Sequence, residues 1–196
     1  MANRRKKFIY YSSPEHWFQA SLELNQAVKE LYLIRDQSYY LQDFHFEQQK
    51  VVEIPGCSRA TYLLMSYSLE NLLKGIAILY NPSLINKGKI EKEIRTHDLN
   101  SLTQLVGINL VKELIDFQTI LSAQCVSNAR YPVGLNENIQ LENPNITVND
   151  YEKYLELFER YKSKLVNEFH IKGWNSGLKD SEFNTQPFEF RYFEKE

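Results

Sequence analysis

One helical pattern constrains the fold of this chain more than any other feature of its sequence. From Ser58 to Pro82, apolar residues recur at intervals of three and four, the spacing of one face of an α-helix. The main stripe comprises Tyr62, Met65, Leu69, Leu72, Ile76 and Leu79. Leu63, Leu73 and Ala77 widen the apolar face, so we expect this helix to lie at the centre of a helical bundle.

Three polar residues interrupt this apolar pattern. Ser66, Glu70 and Lys74 follow one another at i, i+4 and i+8, and we call them the polar stripe. If Glu70 and Lys74 are exposed, they form an ordinary i,i+4 ion pair worth roughly 0.3–0.5 kcal/mol. If they are buried, each charge needs a partner, and buried charges of this kind often mark a functional site. The sequence leaves both interpretations open.

Before this central helix, the pattern predicts another long helix. Ser13 can cap it and Pro14 suits its first position, where a missing N–H costs nothing. Apolar residues at helical spacing then continue to Leu41, which predicts a helix of that extent. Residues 42–56 are predicted to be a connector with a short extended piece.

Three further helices are predicted after the central one. A short helix that begins around Asp98 ends at Gly107, and Asn109 caps a helix that stops before Pro132. Thr147 opens the last long helix with a capping-box pattern. The fold class is therefore predicted to be all-α, an antiparallel bundle of four to five helices over residues 1–170. An irregular aromatic C-terminal tail is predicted over residues 171–196.

Composition excludes several classes of protein. The net charge of −2 argues against a nucleic-acid footprint spread over the whole surface. The basic run 4–7 is a local exception, either a solvated tail or a flexible arm for phosphate. Cys57 and Cys125 lack the spacing of a disulfide framework or a metal site, so neither a metal nor a cofactor is predicted. We expect a cytoplasmic protein with no membrane segment.

Two short motifs outside the central helix could contact a ligand. His97 and Asp98 lie at the start of the short helix, where they could cap it or help to hold an anion. Arg130 and Tyr131 lie at a helix end before Pro132. Arg130 could simply interact favourably with the negative end of the helix dipole, or it could bind phosphate while Tyr131 stacks on a base.

Three segments together resemble the HEPN superfamily, which comprises helical bundles of prokaryotic toxins, defence proteins and nucleotidyltransferase-linked proteins. These are Ser66–Ile78, the segment 97–102 (HDLNSL) and Ala129–Pro132, and the resemblance spans about residues 14–169. The resemblance implies a homodimer whose cleft is lined by polar residues of both subunits. It also implies RNA cleavage in those members that carry an Arg, four to six residues, and then a His.

That nuclease motif is not intact in this chain. Positions 134–137, which follow Arg130, hold Gly, Leu, Asn and Glu, and Pro132 interrupts the helix. The leading hypothesis is therefore a non-catalytic module that binds a nucleotide or RNA phosphate, without a catalytic residue. Its predicted ligand-binding residues are Ser66, Glu70, Lys74, His97, Asp98, Arg130 and Tyr131. The alternatives are a diverged toxin-type RNase, or an interaction subunit of a toxin–antitoxin or defence system that binds a partner such as a nucleotidyltransferase.

Overall fold

The fold is built mainly from α-helices, as the apolar periodicity predicts. A computed structural model describes residues 2–43, 50–85, 87–128, 145–178 and 183–193 of the chain. Within these residues there are six α-helices, α1 Ala2–Tyr11, α2 Pro14–Leu33, α3 Ser58–Tyr80, α4 Leu99–Leu105, α5 Lys112–Ala123 and α6 Val148–Lys172. The predicted all-α class is confirmed.

Helix α3 is the centre of the bundle. It packs against α2, α4, α5 and α6, and most of its residues are buried. It begins at Ser58, as predicted, and ends at Tyr80, just before the predicted end at Asn81 and Pro82. Because α3 is covered on nearly every side, any polar residue on it must find its partner inside the protein.

The extent predicted for the first long helix is wrong. Helix α2 begins at Pro14 as expected but ends at Leu33. Leu41, the last residue that kept the helical spacing, lies in a strand. Strand β1, Ser38–Asp43, pairs antiparallel with β2, Lys50–Pro55, and this is the one sheet among the described residues. Residues 44–49 lie outside them. Two tyrosines in β1 and two valines and an isoleucine in β2 favour strand pairing over helix continuation.

The N-terminal basic run is not a tail. Residues 4–7 belong to α1, and Ile9 of the same helix is fully buried in the core. Helix α1 is therefore anchored to the core by its apolar side. The sequence pattern before Pro14 is too short to predict this helix.

The predictions for the helix ends are confirmed in part. Thr147 and Asp150 form a reciprocal capping box at the start of α6. Asn109 does not cap α5, because that helix begins two residues after Leu110 and its N-cap is Val111. At its other end, α5 continues into a π-helical turn, Gln124–Asn128.

The C-terminal tail lies against the bundle. Helix α6 ends at Lys172, and the chain reverses at Gly173, whose φ of +64° lies in the left-handed region. Trp174 then forms an isolated antiparallel bridge with Thr185, and its indole N–H donates to the carbonyl of Ile78 at the end of α3. The described part of the tail is thus irregular and joined to the core, and it begins at Gly173 instead of the predicted residue 171.

Candidate functional site

The polar stripe on α3 contains a buried ion pair. Glu70 is 4% exposed and Lys74 is 6% exposed. The ammonium Nζ of Lys74 donates to Oε1 of Glu70 over 2.6 Å. The interpretation of the pair as an exposed surface contact is therefore wrong. At this depth each charge depends on the other, because removing one partner leaves an uncompensated charge inside the protein.

Lys74 is enclosed from the side of α2. Its Nζ lies 5.7 Å from the ring centroid of Trp17, within the range of a cation–π contact. The next residue on α3, Gly75, allows this approach. A Cβ at Gly75 would lie 3.4 Å from the Cβ of Trp17 and 3.2 Å from a methyl group of Leu165. The Lys74 ammonium therefore pairs with Glu70, and little of it is accessible to a ligand.

His97 is hydrogen-bonded to the second carboxylate oxygen of Glu70. Its Nδ1 lies 2.9 Å from Oε2, and because a carboxylate only accepts hydrogen bonds, Nδ1 is the donor. The His97 side chain is 38% exposed, in contrast to Glu70, and its ring contacts Tyr67 edge-on. Using Nδ1 for Glu70 leaves Nε2 for another partner. The structure thus connects a buried carboxylate to an imidazole that reaches the surface.

Asp98 helps to place the neighbouring His97 beside Glu70. Its carboxylate accepts hydrogen bonds from the backbone N–H of Asn100 and of Ser101, at 3.0 and 3.2 Å, and so caps α4. The capping interpretation of Asp98 is confirmed. Because α4 packs on both α3 and α5, the cap places the preceding His97 beside Glu70.

Ser66 is buried without a hydrogen-bonding partner among the described residues. Its side chain is fully buried one helical turn before Glu70, and its Oγ makes no hydrogen bond there. Gln124 lies at the start of the π-helical turn and is 7% exposed, and its Oε1 atom also makes no hydrogen bond among the described residues. Buried polar atoms without partners are rare in folded proteins and call for an explanation at each position.

Cys125 is the residue of this site that sequence reasoning missed. It lies on the π-helical turn after α5 and is fully buried. One ligand atom each from Glu70, His97 and Cys125 lie within 4.8 Å of one another. The chain separates them widely, so their spacing carries no signal. The only sequence indication was the apolar periodicity of α5, which directs position 125 toward the core.

Arg130 and Tyr131 fall outside the described residues, together with the rest of the segment 129–144. Their predicted contacts with phosphate and base remain predictions. Of the seven residues predicted to bind a ligand, the structure brings Glu70, Lys74 and His97 into direct contact. Ser66 lies on the same helix face, and Asp98 supports the arrangement from the α4 cap.

Two other groups of buried polar residues contrast with this site. Ser21 and Ser68 bond each other, and the Tyr154 hydroxyl donates to Asn25 over 2.8 Å. Burial raises the pKa of Tyr154 well above its ordinary value. A similar group joins α4, α5 and α6 through Thr103, Gln118 and Tyr161. Both groups are neutral and hydrogen-bonded internally, which is typical of helix-packing contacts.

Comparisons with protein-family models, curated proteins and solved structures find no match for this chain. The HEPN resemblance therefore remains a prediction from the sequence. In the part of the chain that the structure describes, helices that combine the length and apolar character needed to cross a membrane are absent.

The geometry permits two kinds of chemistry. A carboxylate that accepts from Nδ1 orients an imidazole, so that Nε2 can exchange a proton or donate a hydrogen bond. Alternatively, the carboxylate, the imidazole and the cysteine sulfur could be ligands of one metal ion. Both depend on His97, the most exposed member of the group.

Proposed function

We propose that this protein is a HEPN-like module that binds a phosphate group of RNA or of a nucleotide through His97, in the cleft of a homodimer. The observation that supports this most directly is the contact between His97 and Glu70. A buried carboxylate holds a partly exposed imidazole in one orientation, and the same carboxylate is neutralised by Lys74.

The charges of the group favour an anion. Glu70 and Lys74 compensate each other, so a protonated His97 brings one net positive charge to the accessible edge of the site. Nε2–H can then donate to a phosphate oxygen, while Glu70 stabilises the imidazolium from behind. Hydrogen bonds between charged groups are worth about 1.5–3 kcal/mol, which is sufficient for one strong anchoring contact.

The sequence supplies the remaining support. Arg130 would add a bidentate contact to phosphate, and Tyr131 would add a surface on which a base can stack. The HEPN resemblance implies that a second subunit completes the cleft. The absent Arg-to-His motif favours binding over cleavage, and RNA or a nucleotide as ligand fits a cytoplasmic location.

Binding is tested by calorimetric titration of the full chain with short single-stranded RNA and with ATP. We expect His97→Gln to weaken binding about tenfold or more, because it removes one charge-assisted contact. His170→Gln is the matched control, since His170 is also partly exposed with Nδ1 bonded, in that case to the carbonyl of Phe190. The proposal fails if the wild-type protein binds neither ligand, or if His97→Gln and His170→Gln behave alike.

The homodimer is tested separately by light scattering during gel filtration. We expect the mass of two chains at the concentrations used for titration. A single-chain mass at concentrations where RNA is bound would contradict the dimer cleft, while leaving the role of His97 to the titration.

A diverged RNase is the second candidate, and one observation favours it. The hydrogen-bonded pair of Glu70 and His97 is an arrangement that enzymes use for general acid–base catalysis. Incubation of the protein with total RNA distinguishes the two functions. Intact RNA fits a binding module, whereas cleavage abolished by His97→Gln and retained by His170→Gln would replace binding with catalysis.

The hypothesis of an interaction subunit relied on exposed aromatic residues in the tail. Phe190 stacks on Phe169 of α6 with ring centroids 4.2 Å apart, and Tyr192 packs edge-on against Phe18 of α2. These contacts are made within one chain and weaken the reason for assigning the tail to a partner, although Phe188 and Phe193 are exposed. A toxin–antitoxin or nucleotidyltransferase partner therefore has less support than phosphate binding.

A further inference from the structure

We propose that Glu70, His97 and Cys125 form a binding site for a divalent transition metal ion, with Zn²⁺ as the ion that best suits the ligands. The three side chains come from α3, from the residue before the α4 cap and from the π-helical turn after α5. They are the one cluster of three such side chains found among the described residues. Helix packing assembles it from distant parts of the chain.

The distances are close to those of a coordinated ion. The ligand atoms lie within 4.8 Å of one another. Tetrahedral Zn²⁺, with bonds of about 2.0–2.3 Å, separates its ligand atoms by roughly 3.3–3.8 Å. Adjustments of about 1 Å or less therefore bring every pair into this range. Oε2 of Glu70 and Nδ1 of His97, now 2.9 Å apart, would separate slightly. His97 has the most room to adjust because it is the partly exposed member, whereas Glu70 and Cys125 are buried in the core.

The types of ligand atom select the metal. A sulfur, an imidazole nitrogen and a single carboxylate oxygen suit Zn²⁺ and its spectroscopic substitute Co²⁺. Mg²⁺ and Ca²⁺ prefer shells of oxygen and are disfavoured here. Three protein ligands leave a fourth tetrahedral position for water or a ligand.

Lys74 is compatible with this ion. Its ammonium bonds Oε1 of Glu70, whereas His97 faces Oε2. A metal ion would therefore take Oε2 alone and displace the hydrogen that now lies between Oε2 and Nδ1. On metal binding the Cys125 thiol releases its proton to solvent, and neutral His97 carries its one proton on Nε2. The ion, the thiolate, the Glu70 carboxylate and Lys74 then carry one net positive charge, which favours an anion at the fourth position, and Lys74 continues to orient the carboxylate from its other oxygen.

Two buried polar atoms that lack hydrogen bonds within the described part of the chain, on residues near the ligands in the sequence, support the same conclusion. Ser66 precedes the ligand Glu70 by one helical turn, and Gln124 adjoins the ligand Cys125 in the chain. Both side chains are buried, and the Ser66 Oγ and Gln124 Oε1 atoms make no hydrogen bond among the described residues. Metal sites surround their ligands and bound water with hydrogen-bonding groups of this kind. Turns of π-helix also occur frequently at functional sites.

The metal site shares His97 with the proposed phosphate site but does not rest on that function. Metal binding is measured without RNA, and RNA binding is measured in the presence of a chelator. Each proposal can therefore fail while the other holds.

The test is a titration of the full-length, chelator-treated protein with Co²⁺, followed by absorption spectroscopy. We expect one ion per chain, with a thiolate-to-cobalt charge-transfer band and the visible bands of tetrahedral Co²⁺. Cys125→Ser should abolish the charge-transfer band, and Cys57→Ser, the matched control on the other cysteine, should retain it. Added Zn²⁺ should displace Co²⁺ and remove the spectrum.

His97→Gln provides a second variant, at the partly exposed ligand of the group. We expect it to weaken Zn²⁺ binding at least tenfold in calorimetry, with unchanged far-ultraviolet circular dichroism. If Cys125→Ser does not fold, this variant decides the question. The proposal is overturned if wild-type protein binds no stoichiometric metal, or if folded His97→Gln or Cys125→Ser binds it as wild type does.

Discussion

The ammonium of Lys74 lies 2.6 Å from the carboxylate of Glu70, and both side chains are more than nine-tenths buried on the central helix α3. The second oxygen of that carboxylate accepts from His97, so one buried charge connects the core of the bundle to its surface. Glu70 therefore contributes to stability and would also support the proposed ligand contact of His97.

Substituting Lys74 by Met should destabilise the protein by about 3–5 kcal/mol, because the Glu70 carboxylate is left buried and uncompensated. The double variant Lys74→Met with Glu70→Gln removes both charges and should recover a large part of this loss. Urea denaturation measures both. A loss below about 1 kcal/mol for the single variant would show that the pair is not needed at this depth.

Substituting Tyr161 by Phe should cost about 1 kcal/mol, because the Gln118 amide loses one of its two acceptors and keeps only Thr103. The Gln118 amide donates to the Tyr161 hydroxyl over 2.5 Å, and Thr103 bonds the same hydroxyl. Tyr80→Phe is the control, since Tyr80 is 40% exposed. Equal denaturation midpoints for the two variants would argue against an energetic role of this network.

Tyr161 should also make stability fall at alkaline pH. Burial raises its pKa from 10.0 to about 12, although hydrogen bonds with Thr103 and Gln118 act in the opposite direction. The folded state therefore keeps this proton to a higher pH than the unfolded state does. Its contribution is complete below pH 10 and is lost as the pH rises toward 12.

Denaturation series across this pH range test the alkaline effect. Tyr161→Phe removes one titrating group and should lose less stability than wild type over the same interval. Parallel losses in the two proteins would contradict a raised pKa at this residue.

Substituting Gly173 by Ala should release the C-terminal tail. Gly173 has a φ of +64°, and a Cβ there would overlap the backbone of Thr185, Gln186 and Pro187. We expect a loss of more than about 1 kcal/mol and faster proteolysis of the tail. Gly107→Ala is a close control, because Gly107 has a φ of +65° with nothing within 4 Å of the added Cβ. Equal effects of both changes would mean that the left-handed φ, rather than tail packing, accounts for the cost.

The sequence was most informative where one element determined its own structure. The apolar stripe of α3 and the capping box of Thr147 both depend on residues within a few turns of one another, and both were predicted. The extension of α2 to Leu41 was wrong because position 41 kept the helical spacing, while pairing with β2 decided its structure. Such pairing depends on a second segment that periodicity does not consider.

The candidate site could be predicted only in part for the same reason. Glu70 and Lys74 are neighbours on one helix, so their contact follows from their spacing. His97 lies 27 residues from Glu70, and its position depends on how α4 packs against α3. Cys125 depends in addition on the π-helical turn after α5, for which the sequence provides no recognised signal.

The central claim is that His97 contacts the ligand while Glu70 and Lys74 support it from the core. Nuclear magnetic resonance of the histidine imidazole nitrogens, recorded during titration with short single-stranded RNA, tests this most directly. The chain has four histidines, so the signals can be assigned by single substitutions. We expect the Nε2 resonance of His97 to shift in proportion to bound RNA, with the other three histidines unchanged. RNA binding that leaves the His97 resonance in place would contradict the claim.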